Sequence, residues 1–381
     1  MTLIKNLGRV NKYILENSKK ITIFLIILII LVLKLFFSSN FWAGIYGLGK
    51  AIEMAFLFLI SAQFIKEKNI IPHIALVLSL GMVLEVVLAL FQLSNQGSIG
   101  GAFYFLGERY FTSETPGIAS ASINSALYLR PYATFPHPNV MAGYLLLIQV
   151  FLLSQLRSIK GRLKSLIGAS LLISFLGILI ALSRVAIILE VIILIYFVLS
   201  VTKKKLGKKI LISLLIFVLL IFSSISNALP RLLSTRLGEE SVASRQLLVQ
   251  ESLRMIVKNP VDGIGANNFL NALASEKDQP TPLQPVHNLP LHVIAELGLP
   301  LGVALFMMYW SLLMKVNSAK VLIGIQRKEA LLILLLIAAL GMFDHYLRTT
   351  QQGQMLIVVL LGWVYGSVVS RNVHKKIETI G

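Results

Sequence analysis

Apolar and polar residues follow one another along this chain in long blocks. Apolar stretches fall near residues 21–37, 41–65, 70–93, 139–156, 165–183, 185–201, 210–226, 289–314, 329–343 and 355–370. Most approach the ~20 residues a helix needs to cross a bilayer. Backbone polar groups inside lipid must be satisfied within their own segment, so these stretches predict helices. The expected fold class is all-α: a polytopic integral membrane protein with about ten transmembrane helices, residues 1–381 forming a single membrane domain. The run at 21–37 follows Lys5, Arg9, Lys12, Lys19 and Lys20 and offers no small-x-small cleavage motif beyond Ser38-Ser39, so it reads as an uncleaved first span.

Two polar blocks are long. The first, 94–138, is rich in Gly, Ser and Ala, and its closing Pro138-Asn139 suits a helix start. The second, 227–288, contains an amphipathic stretch from Ser244 to Lys258, with Val249, Leu253 and Ile256 on one face and Glu251, Arg254 and Lys258 on another. That stretch predicts a helix lying along the membrane interface. Asn259-Pro260 stops it, and a Gly263-Ile264-Gly265 turn leads to the Pro-rich 280–285 segment.

Composition agrees: 56% of residues are hydrophobic, 14% are charged and the mean hydropathy is +0.81, outside the soluble globular range. The absence of cysteine excludes disulfides, thiolate metal sites and cysteine nucleophiles. The net charge of +18 points to nucleic acid only if it is clustered on one face, and it is not. With both termini cytoplasmic, the inner segments hold 18 Lys and 5 Arg and the outer ones 8 Arg and 2 Lys, a positive-inside pattern. The charge therefore implies contact with membrane lipids and no nucleic acid. Arginine is favoured where phosphate is gripped bidentately, so an Arg-rich outer face suggests a diphosphate held there; pairing of those arginines with outer acids is the other reading.

Ionisable residues inside spans are functional candidates. Lys34, Lys50, Glu53, Glu85 and Glu190 all fall in the outer half or near the midplane, as an outward-opening cavity would require. Lys50 and Glu53, three apart, can also simply neutralise each other. His287 stands where a long outer loop meets an apolar helix; a neutral imidazole there can take a proton from a hydroxyl near neutral pH. Asn288 can orient that imidazole or cap the helix. Glu296 can bond to the site or pair with a cation, while Gly298 and Gly302 read as small-xxx-small helix packing. Arg184 has no local acid and needs an anion from elsewhere; Arg245 and Arg130 can add phosphate contacts. Arg348 lies beside Asp344 and His345, where the neighbouring acid suggests a structural pair. GIYGLGK at 44–50 has phosphate-loop spacing but lacks the hydroxyl residue and the preceding strand. Glu276-Lys277-Asp278 has no second acidic cluster to make a metal site.

Four stretches, RPYATFPHPNVMAGYL, LSR, SRQLLVQESLRMIVKNPVDGIGANNF and HNLPLHVIAELGLPLG, occur in this order over residues 120–305. Together they resemble the O-antigen ligase and polymerase family of bacterial membrane glycosyltransferases. The resemblance implies an undecaprenyl-diphosphate-linked glycan as donor, a glycan or lipid as acceptor, no cofactor and no metal. It implies a site on the outer face of the cytoplasmic membrane. Carried onto this chain, it makes Arg184 and Arg245 diphosphate ligands, Arg130 a third cation, and His287 the base that activates the acceptor. The ligase-like pattern ends with a hydroxyl residue after its final Gly, where this chain has Leu301-Gly302, which leaves ligase against polymerase open. A transporter or flippase is the alternative of a different class, expected to show broken helices in paired halves.

Overall fold

The computed structural model describes residues 29, 32–64, 70–123, 126–156, 158–200, 239–275, 283–319, 322 and 325–378. Six of its helices are long and apolar enough to cross a membrane: α1 (Phe41–Phe64), α2 (Ile71–Asn95), α3 (Pro138–Gln155), α4 (Gly161–Ile180), α8 (Leu289–Ser318) and α10 (Gln351–Glu378). Two more apolar helices, α5 (Arg184–Ser200) and α9 (Arg327–Phe343), have 17 residues each and occupy the places of expected spans. Between α5 and α8 lie α6 (Glu239–Lys258) and α7 (Phe269–Ser275). The protein is a polytopic membrane protein. The expected span at 210–226, and all but the last turns of that at 21–37, lie outside the described residues.

The most apolar stretch of α3 is 83% buried, against 6% for α1. A helix apolar on every side belongs inside a bundle, and α3 is the axis here, packed against α2, α4, α5 and α9. Helix α1 lies at the edge along α10. Their approach depends on Gly362 and Gly366: a Cβ at Gly362 would sit 2.6 Å from the Phe58 carbonyl oxygen, and one at Gly366 would strike that of Ala62. This is the small-xxx-small contact that the sequence suggested for Gly298 and Gly302.

Gly298 serves a different end. Its φ of 76° and ψ of 166° interrupt α8, and the chain at 260–265 takes over the hydrogen bonds that the helix gives up. Pro300 has no N–H to return to the Glu296 carbonyl, and Gly265 N donates to it at 3.0 Å. Ile264 N donates to Ala295 O at 2.9 Å, and Leu299 N to Pro260 O at 2.8 Å. A Cβ at Gly298 would collide with the Val261 carbonyl.

Helix α6 forms as expected, but with its buried face rotated. Leu248, Ser252 and Met255 are buried, the apolar pair among Ile264, Phe269, Leu273, Val286 and Ala295, whereas Leu253 is 48% exposed. The phase is set by packing on α8 and α7, which outweighs the pattern of α6 taken alone. The loop at 94–138 departs from an all-α body with an antiparallel hairpin, β1 (Ser120–Ile123) and β2 (Ala126–Leu129). Gln92 holds this loop to α2 through bonds from Tyr132 N (2.9 Å) and Ala133 N (2.7 Å). Glu85 does the same through Thr134 N (3.1 Å) and Oγ1 (2.7 Å).

Gly298→Ala is expected to lower stability by about 1–3 kcal/mol, the cost of forcing a side chain into a strained backbone region. Thermal unfolding of the purified protein in detergent should show a lowered midpoint; an unchanged midpoint would contradict the role given to the break.

Candidate active site

The start of α3, the α4–α5 turn, the start of α8 and the end of α9 bring their polar residues to one end of the bundle, and Asp344 is the hub. His287 Nδ1 lies 3.3 Å from Asp344 Oδ1, the His345 amide donates to the same oxygen at 2.8 Å, and Asn139 Nδ2 donates to Oδ2 at 3.2 Å. Asn139 Oδ1 in turn accepts from Arg130 Nη2 at 2.8 Å. One chain of hydrogen bonds thus runs from Arg130 through Asn139 and Asp344 to His287, crossing three segments remote in sequence. Tyr346 locks the segment in place: a Cβ at Gly143 of α3 would collide with the Tyr346 hydroxyl.

Burial works against ionisation of Asp344, yet the bonds from His287 and the His345 amide hold its carboxyl well below the usual carboxylate range. An ionised carboxylate only accepts, so Nδ1 of His287 is the donor in this contact. The His345 ring packs 4.8 Å from that of His287, centroid to centroid, and its Nδ1 meets Thr349 Oγ1 at 2.7 Å.

The arginines divide into two kinds. Arg130 donates from Nε to Ala181 O at 2.9 Å as well as to Asn139, and burial, then the charge of Arg184, pushes its pKa down to about 10. Arg184, exposed at the first residue of α5, and Arg245, exposed on α6, make no hydrogen bond or ion pair among the described residues. Arg245 is close enough to act electrostatically on His345, and it lines an open groove of about 480 Å³ with Gln246, Val249 and Gln250.

The remaining candidates have structural partners. Asn288 is the α8 N-cap, accepting from Leu291 N at 3.0 Å and donating to Met342 O at 3.2 Å. Arg348 pairs with buried Glu296 at 2.7 Å, not with Asp344, which is turned toward His287. Lys50 pairs with Glu53 at 2.7 Å and Glu190 accepts from Gln149 at 2.6 Å. With Glu85 bonded to Thr134, the intramembrane charges have protein partners and need no shared cavity. His287, Asp344 and His345 carry three ligand-type atoms within 4.8 Å of one another, the one such group among the described residues. The positive charge of Arg130 and Arg245 nearby opposes a dication there.

Asp344, Asn139 and His345 are contributors that the sequence reading passed over. Asp344 and His345 follow an apolar span directly, at the membrane face where His287 was expected, and that was the available signal.

The structure thus brings a histidine bonded to a carboxylate, and arginines without a hydrogen bond or ion pair among the described residues, to the ends of membrane-type helices. Residues 169–307 match the family described as O-antigen ligase. Members of that family are membrane glycosyltransferases. No curated protein matches the chain. The matched stretch contains Arg184, Arg245, His287, Asn288 and Glu296; Arg130, Asn139, Asp344 and Arg348 lie outside it.

Burial, then the charge of Arg130, pushes His137 down to about 4. Burial likewise takes His345 down to about 4, Asp344 opposing and His287 reinforcing the shift. An unfolded histidine titrates near ~6.5, so below that pH the unfolded chain binds protons that the folded one refuses. Stability is then complete above about 6.5 and is lost as pH falls toward the folded value. Unfolding followed at pH 7 and pH 4.5 should show this loss, and a His137→Gln/His345→Gln double variant should show less of it; an equal loss would contradict the assignment.

Proposed function

We propose that the protein transfers a glycan from undecaprenyl diphosphate to an acceptor hydroxyl on the outer face of the bacterial cytoplasmic membrane, both termini being cytoplasmic. The observation that carries this reading is an imidazole bonded to the Asp344 carboxylate, near arginines that make no ion pair among the described residues. The charge of Arg184 disfavours that of Arg130, and Arg184 stands at a helix N-terminus, where the dipole disfavours a cation. An anion placed there relieves both, and a diphosphate matches the guanidinium forks.

In the reaction, His287 Nε2 takes the proton of the acceptor hydroxyl while its oxygen bonds to the anomeric carbon. The bond from that carbon to the diphosphate oxygen breaks, and undecaprenyl diphosphate leaves with the electron pair. Arg184 and Arg245, with Arg130 behind them, stabilise the charge that grows on the leaving group. Asp344 keeps His287 in the tautomer with Nε2 free and stabilises the imidazolium. Glu296, Arg348 and Asn288 hold the elements on which these groups stand. No step requires a metal or a nucleotide.

A polymerase of lipid-linked repeat units uses the same chemistry with a second lipid-linked glycan as acceptor. The transporter reading loses ground because α8 carries the one helix break among the described spanning helices, not a pair related by a repeat.

His287→Ala and Arg184→Ala are each expected to abolish transfer in proteoliposomes while the protein still inserts, and Asp344→Asn to slow it by about 10²–10⁴-fold. Normal transfer by the His287 variant would remove the base. Supplied with lipid-linked donor and either lipid A core or a second lipid-linked repeat, the wild type should glycosylate the core; elongation of the repeat alone would assign the polymerase role instead.

A further inference from the structure

We propose that Lys34 is a positioning residue for the His287 base, acting through the break in α8; this rests on the reading of His287 given above. The Lys34 ammonium donates to three carbonyl oxygens: Val261 at 3.0 Å, Asp262 at 2.7 Å and Leu297 at 2.8 Å. An ammonium has three N–H groups, and all three are spent. Leu297 ends the first half of α8, just before Gly298, so its carbonyl belongs to a helix terminus with orphan acceptors and a partial negative charge. Val261 and Asp262 belong to the turn that pairs with the break. The lysine therefore neutralises a helix end and joins it to that turn at one point.

The chain after Lys34 strengthens the joint. Ser39 N donates to Ile264 O at 3.0 Å, Asn268 Nδ2 to Ser38 Oγ at 2.7 Å, and Asn40 N to Asn268 Oδ1 at 2.8 Å. The half-helix held in this way begins at Leu289, immediately after His287 and its cap Asn288. Glu296, beside Leu297, carries the bond to Arg348. Without the ammonium, three carbonyls at the end of this half-helix lose their donor and the half-helix can shift against Asp344. A base displaced by a fraction of an ångström loses rate steeply, whereas Arg184, proposed to grip the diphosphate, stands on α5, which Lys34 does not touch. The turnover number should fall while the donor KM holds.

The test measures transfer in nanodiscs with lipid-linked glycan and acceptor. Lys34→Met is expected to lower kcat at least tenfold with donor KM within twofold of wild type, and Lys34→Arg to recover most of the loss. Ethylammonium should restore turnover to Lys34→Ala, an effect that lost packing alone would not give. A wild-type kcat for Lys34→Met, or a loss expressed wholly in KM, would overturn the proposal. If Lys34→Met fails to insert, Lys34→Ala purified in ethylammonium and dialysed free of it decides: turnover lost on dialysis supports the role, and turnover retained overturns it. His287→Ala in the same assay separates the two levels. If it is inactive while Lys34→Met is normal, only the present proposal fails; if it is active, the base reading falls and this proposal with it.

Discussion

The carboxylate of Asp344 accepts hydrogen bonds from His287, from the His345 amide and from Asn139 at the head of α3. Largely buried, it is the point where three helix ends meet. Isolated carboxylates do not persist in such a place, because desolvation drives them neutral. This one persists because its acceptor capacity is filled, and filling it requires each contributing element to stand where it does. The imidazole tautomer, the orientation of Asn139 and the anchoring of Arg130 follow from that requirement.

The membrane body was readable from the chain because lipid enforces a simple rule, and apolar blocks near 20 residues have few other uses. The amphipathic helix α6 was readable as a helix, yet its buried face was not, since packing on α8 sets its phase. The break at Gly298 was missed because Gly298 and Gly302 satisfy the spacing of a packing motif. Only the hydrogen bonds from 260–265, a segment remote in sequence, reveal what the glycine does. Pro300 was the local hint, two residues on.

The candidate site shows a similar division. His287, Arg184 and Arg245 stand out because each has a chemistry without a local partner, and pattern reading finds such residues. Asp344 and Asn139 are defined by what they touch, and their partners lie 57 and 205 positions away. Arg348 shows the opposite error: its sequence neighbour Asp344 looked like its partner, whereas its geometry selects Glu296. Lys34 looked like a charge awaiting a cavity and is instead bound to backbone carbonyls. In each case the sequence names a group with a need, and the fold decides which of several suitable partners meets it.

The measurement that bears most directly on the account is a structure of the protein in a lipid nanodisc with a prenyl diphosphate bound, by electron cryo-microscopy. The account predicts phosphate density within hydrogen-bonding distance of Arg184 and Arg245, with His287 facing the end of the diphosphate that would carry the sugar. Density at the opposite end of the helix bundle, or phosphates bound away from both arginines, would contradict it.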